Sequence, residues 1–386
     1  MDNDSLLPLN GVRVVALEQA VAAPFCSRQL ADMGAEVIKV ERPGSGDSAR
    51  SYDGALRGMS AYFAWLNRGK RSIELDLSHE RDHEVCSRLL ERADVFIHNF
   101  SSGAVERLGF GYEQLAESHP RLIWCGISGY GPDGPYREKK AYDILVQAES
   151  GVVELTGSAD APAKVGISIA DIAAGLYGYS SILAALINRR RTGEGERIDI
   201  SMLECLAEWM MPPLYVWLGT GVVPARVGVR HNMIVPYGAY PCADGEVIFA
   251  VQNDSEWRRF CAQVLSMPAL ADDERFVTNA NRLQNRAKLE VMIENKLSKH
   301  SQVEVLSWLS QADIATGAVN AVPAVAAHPQ LAARSRWVNV ASPVGTIPAL
   351  LPPHNLQHVP PRMGAVPALG EHTNEILAEL GVKESE

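Results

Sequence analysis

Short apolar segments alternate with helix-patterned ones through the first half of this chain, and that alternation constrains its fold more than any other feature. Apolar strands read at Val12–Leu17, Val37–Val40, Ile73–Leu77, Val95–His98, Leu122–Ile127 and Ile198–Ser201. Helical periodicity falls between them at Pro24–Met33, Glu80–Arg92 and Ile169–Arg191. Strands that are apolar along their whole length and alternate with helices are covered on both faces, which predicts a doubly wound, mainly parallel, Rossmann-like α/β sheet. Such sheets take their ligands at the carboxyl ends of the strands.

The pattern changes after Ser201. Met202–Val222 is apolar but interrupted by Pro212, Pro213 and Gly219, and reads as a linker that packs on something rather than as one helix. A smaller α+β domain follows, with a hairpin signal at Asp244-Gly245 between Gly238–Pro241 and Val247–Val251, then helices near Glu256–Leu265, Arg282–Lys299 and Val303–Gln311. A proline-rich stretch, Ser342–Leu369, leads into a last helix, His372–Leu380. The expected division is a large domain at 1–205, a linker at 206–231, a small domain at 232–325 and a return segment at 326–386 that completes the large domain.

With 386 residues, 47% of them hydrophobic, the chain can bury a core large enough for two domains. Its 36 basic and 46 acidic residues give a net charge of −10, which argues against nucleic acid or an anionic membrane as partner and leaves room for a local basic pocket. The six cysteines show neither a C-x-x-C pair nor a His at ligand spacing, so buried thiols are expected and no metal site. The N-terminus, MDNDSLLPLNG, lacks the basic region and apolar core of a signal peptide, and no run of eighteen apolar residues occurs, so a soluble cytoplasmic protein is expected. Gly44-Ser45-Gly46 imitates the start of a dinucleotide fingerprint, but no amphipathic helix follows on which a pyrophosphate would sit, and a nicotinamide site is not expected.

Asp171 opens the small-residue-rich segment IADIAAGLYGYSSILAALINRRR. It reads as a helix cap or as a nucleophile, and in either role a carboxylate facing free N–H groups and the positive end of a helix dipole should stay ionised at neutral pH. Arg42 ends a strand at the expected ligand edge, where a guanidinium suits phosphate, with Lys70 and Arg71 adding charge nearby. Asn99 and Phe100 end another strand and offer an amide and an apolar face.

Five collinear segments together resemble the family III CoA-transferases, the CaiB/BaiF family: LNGVRVVALEQAVAAPFCSRQLADMGAEVIKVERPGSGDSAR, NRGKRSIELDLS, ADVFIHNFSSGAVERLGFGYE, LIWCGISGYGPDGPY, and the Asp171 helix with its trailing RRRTGEGERIDISM. The resemblance implies an interlaced, ring-like homodimer and a site that binds coenzyme A or an acyl-CoA as substrate, with no permanently bound cofactor. By the same resemblance Arg42, Asn99, Phe100, Ala104, Arg107 and Lys140 contact CoA, and Asp171 is the catalytic aspartate, passing through an aspartyl anhydride and an aspartyl-CoA thioester. Dimer formation would cover the apolar linker.

The related alpha-methylacyl-CoA racemases pair that aspartate with a histidine; here Tyr142 stands in the corresponding place, ahead of Asp143, and a phenol with a pKa of about 10 is a poor base at pH 7. Tyr142 and Asp143 suit transferase-like positions beside the nucleophile. A non-catalytic CoA-binding protein is the further alternative. Where oxalate-using formyl-CoA transferases carry a glycine run and a glutamine, this chain has Ile234-Val235-Pro236-Tyr237-Gly238 and Val21, which disfavours a very small acid. RVGVRHNMIVPY resembles the segment of succinyl-CoA-dependent enzymes acting on C4 to C5 dicarboxylates such as glutarate, itaconate or mesaconate, with Arg226, Arg230 and His231 available to a distal carboxylate.

Overall fold

In a computed structural model that describes residues 6–382, six all-parallel strands form one sheet: β1 (Arg13–Leu17), β2 (Glu36–Glu41), β3 (Lys70–Glu74), β4 (Val95–His98), β5 (Ile123–Ser128) and β6 (Glu196–Ser201). Their order is β3-β2-β1-β4-β5-β6, so the winding reverses at β1, which pairs with β2 on one side and β4 on the other. The acidic leader at residues 1–5 lies outside the described residues. Val14, Val15, Ala16, Val37, Ile38, Val95, Phe96 and Ile97 are buried, as strands covered on both faces require.

The chain divides into two compact units, one of residues 6–151, 165–210 and 329–382, the other of 152–164 and 211–328. In the first, the helix Ala22–Asp32 follows β1 and packs along the helix Ile169–Thr192. The contact is close because of Gly175: a Cβ there would stand 2.5 Å from the Ala22 carbonyl oxygen. Ile169–Thr192 is long and apolar enough to cross a membrane, but Ala170, Ala173, Ala174, Gly178 and Ile182 are buried inside the unit. Three arginines and Gly193 in the left-handed region (φ 82°) end that helix.

The second unit holds β7 (Tyr237–Cys242), β8 (Gly245–Ala250) and β9 (Ala315–Gly317) as an antiparallel sheet over a core that includes Tyr240, Phe249, Trp257 and Phe260. Cys242 pairs with Gly245 across a tight turn at Ala243-Asp244. Back in the first unit, β10 (Trp337–Val340) and β11 (Ile347–Leu350) form a hairpin, and the last helix, Thr373–Glu379, packs on β3.

Two expectations are corrected and one is refined. β3 begins at Lys70, three residues before the apolar run, because the Lys70 ammonium is neutralised by buried Glu18 and so is tolerated inside the fold. As expected, Met202–Val222 is not one helix, but it is helical on both sides of a break at Met210, as Met202–Trp209 and Met211–Thr220, with Pro212 and Pro213 in the first turn of the second, where a missing N–H costs nothing. Arg282–Lys299 is likewise two helices, Asn279–Gln284 and Arg286–Leu297, separated at Asn285.

Candidate active site

The carboxyl edge of β1, β2 and β3 and the turn after β4 enclose a cavity of about 250 Å³. Its apolar wall is Leu17, Val40, Leu75, Leu77, Phe100 and Leu108, and exposed Arg42 stands at its rim. An apolar slot with a guanidinium at its mouth suits a flat base linked to phosphate. Asn99 does not face the ligand with its amide: it donates to the Gln19 carbonyl (2.8 Å) and accepts from the Gln19 N–H (2.9 Å), tying the ends of β4 and β1 together at the point where the winding reverses. Ala104 and Arg107 begin and end the short helix preceding Leu108; Ala104 is half-buried and Arg107 exposed.

Beneath this edge lies a buried charge network that the sequence did not announce. Glu18, only 2% exposed, accepts from Lys70 (2.6 Å), Ser27 (2.6 Å) and Lys39 (3.3 Å), and Lys39 also donates to Asp47 (2.7 Å). Glu41, although burial opposes its charge, is held at about 2 by hydrogen bonds from Arg50 and the charge of Lys39. Burial pulls Lys70 down to about 8 despite Glu18. Lys70 is therefore not a phosphate contact: it starts β3 at the opposite edge of the sheet, and its ammonium is fully enclosed by Glu18, Asn67 and the Pro24 carbonyl. In the Gly-Ser-Gly turn, the N–H groups of Gly44, Ser45, Gly46 and Asp47 go to Glu74, the Pro43 and Arg42 carbonyls and Glu41, so none is left for a pyrophosphate.

A second cluster surrounds Asp171 in the first turn of its helix. Helix capping falls to a neighbour: Asp143 accepts from the Ala170 N–H (2.9 Å), and Gln147 donates to the other Asp143 oxygen (2.7 Å). The Asp171 carboxylate itself accepts no hydrogen bond among the described residues. Burial, with the charge of Asp143, raises its pKa to about 7, which corrects the expectation of a fully ionised group at neutral pH. A carboxylate that is poorly solvated, unpaired and more basic than usual is a better nucleophile than a capping one. Tyr142 caps the Asp143–Glu149 helix with its ring 70% exposed, and Lys140 is exposed on the loop before it.

The three remaining expected residues belong to the second unit, and two are committed to protein partners. Arg226 donates to Glu154 and to the Glu154 and Ser158 carbonyls. Arg230 pairs with Glu290 (2.9 Å) and Glu294 (2.5 Å) and lies over the Tyr240 ring. Each guanidinium braces its own unit, which corrects the expectation of free charges awaiting a carboxylate. His231 stacks on Tyr237, accepts from the Met233 N–H at Nδ1, and has its pKa lowered by burial and by Arg286.

The family model described as CoA-transferase family III matches residues 9–373. A relative from Agrobacterium fabrum named succinate–glutarate CoA-transferase is 38% identical over 97% of this chain and 96% of its own length. An acetyl-CoA:oxalate CoA-transferase of Acetobacter aceti is 38% identical over 86% and 85%. Among solved structures, a CaiB/BaiF family protein from Brucella suis superposes with a TM-score of 0.82 at 37% identity, covering 97% of this chain and 99% of its own. The chain belongs to CoA-transferase family III, and it is an enzyme of that class.

Proposed function

We propose that this enzyme transfers CoA from succinyl-CoA to a C4 to C5 dicarboxylate such as glutarate, with Asp171 as covalent nucleophile. The observation that carries the reading is the unpaired, partly buried Asp171 carboxylate with a pKa of about 7. Its oxygen attacks the thioester carbonyl; the C–O bond forms, the C–S bond breaks, and CoA leaves as thiolate. The thiolate attacks the aspartyl carbonyl of the anhydride and expels succinate, leaving an aspartyl-CoA thioester. The acceptor carboxylate repeats the exchange and restores Asp171, so the thioester bond is conserved with no outside energy source.

Arg42, Phe100, Ala104, Arg107 and Lys140 contact CoA, and Tyr142 and Asp143 flank the nucleophile. The enzyme works as an interlaced homodimer in the cytoplasm. In support, the helix Met211–Thr220 buries no residue of its own and exposes Tyr215, Trp217 and Leu218. A separate apolar groove of about 810 Å³ runs past Phe25, Trp65, Leu331, Trp337 and Leu350 in the first unit.

The test is mass spectrometry of the enzyme incubated with succinyl-CoA and a panel of C2 to C6 acids, trapped with hydroxylamine, for wild type and Asp171→Ala. Modification at Asp171 with a new acyl-CoA of a C4 or C5 acid is the expected result. Transfer to oxalate alone would replace the acceptor assignment, and transfer that survives Asp171→Ala would sink the mechanism.

A further inference from the structure

Gln147 is fully buried, four residues after Asp143 on the same helix, and every hydrogen bond of its amide reaches a segment that bears on Asp171. Nε2 donates to Asp143 Oδ2 (2.7 Å) and to the Ile167 carbonyl (3.3 Å), while Oε1 accepts from the Val165 N–H (2.9 Å). Val165 is where the chain re-enters the first unit, six residues before the nucleophile. Asp143, held by Gln147, spends its other oxygen on the Ala170 N–H (2.9 Å), because Ser168 at the helix start gives no side-chain cap. One amide therefore ties together the approach to the helix and the carboxylate that caps it.

We propose that Gln147 is a positioning residue of the transfer reaction: by fixing the Asp143 carboxylate and the 165–167 segment in one arrangement, it sets where the Asp171 carboxylate stands. The proposal rests on Asp171 being the nucleophile. Asp143 is the titratable group whose charge bears on Asp171; on the other helices packed against this one, Arg28 and Asp32 are paired with each other, and Glu208 accepts from Tyr177. A misplaced nucleophile loses rate far more than binding, on the order of a hundredfold for about 1 Å.

The experiment follows exchange of labelled succinate into succinyl-CoA, a reaction that needs only the donor half of the cycle, against pH. Gln147→Met keeps the side-chain volume and removes both ends of the amide. It is expected to lower kcat about ten- to hundredfold with KM for succinyl-CoA within about threefold. Gln147→Glu restores a donor only when it carries a proton, so its kcat relative to wild type is expected to recover toward acid pH and to fall to the Gln147→Met level above about pH 8. It also decides the matter if Gln147→Met does not fold. Unchanged kcat in both variants, or a loss of kcat that is equal in Gln147→Met and Gln147→Glu at every pH, would overturn the proposal while Asp171→Ala remains inactive. Absence of exchange in the wild type, or exchange surviving in Asp171→Ala, would overturn the underlying assignment and the proposal with it.

Discussion

Asp171 differs from a helix cap in the company it keeps. Asp143 takes the capping hydrogen bond, leaving the Asp171 carboxylate short of solvent and facing a like charge, which lifts its pKa from 3.8 to about 7. Attack needs the ionised form, so kcat is expected to rise with pH through a midpoint near 7, measurable in the succinate exchange reaction. The same shift fixes the sign of a stability effect. Between pH 3.8 and about 7 the folded state binds the extra proton, so this group costs stability as pH rises through that window. Asp171→Asn is therefore expected to raise the melting temperature at pH 8, by a free energy of at most about 4 kcal/mol, with the gain fading toward pH 4. Lys70 and Arg42, both read from the sequence as positive charge near the ligand edge, should separate cleanly. Lys70→Met leaves Glu18 buried against Lys39 alone and is expected to cost about 3 to 5 kcal/mol in urea unfolding. Arg42→Ala is expected to leave stability within about 0.5 kcal/mol and raise KM for acyl-CoA about tenfold or more.

Among the elements, the helix Ile169–Thr192 shows how small residues do structural duty. Gly175 lets the helix after β1 approach until backbone meets backbone, and Gly178 sits over Ile127 and Cys26. Gly175→Ala would gain up to about 1 kcal/mol of helix propensity, but its Cβ would stand 2.5 Å from the Ala22 carbonyl oxygen, which no rotamer change can relieve. Overpacking of that kind costs about 1 to 3 kcal/mol, so a net fall in melting temperature is expected, with loss of exchange activity if the Asp171 turn shifts. The strands were legible because parallel strands are apolar throughout; Val95–His98 is read to the residue. β3 was misread at its start because Lys70 and Ser72 hide a buried strand behind polar side chains, satisfied by Glu18 and Glu41 from elsewhere in the chain. The proline pair at Pro212-Pro213 marks a real break, at Met210, and sits in the first turn of the helix that follows it.

For the whole molecule, an apolar helix with no buried residue and an apolar groove of about 810 Å³ are surfaces that a lone chain leaves wet. Light scattering is expected to give twice the 42.0 kDa chain mass, and Tyr215→Glu combined with Leu218→Glu is expected to shift the protein toward monomer or aggregate; a wild type of monomer mass would end the dimer proposal. The alternating pattern of apolar strands and helices determined the sheet by itself, since side-chain periodicity is local and survives in any context. It also put Arg42 and Phe100 at the carboxyl edge of the sheet and Asp171 at the start of its helix. What only the tertiary structure decided is which charged groups remain free. Lys70, Arg226 and Arg230 look like ligand contacts in the sequence and are consumed by Glu18, Glu154 and the Glu290 and Glu294 pair, whereas Asp171 is left unpaired by a cap from Asp143 and Gln147. A side chain's charge is written in the sequence, but its availability depends on partners brought close by folding.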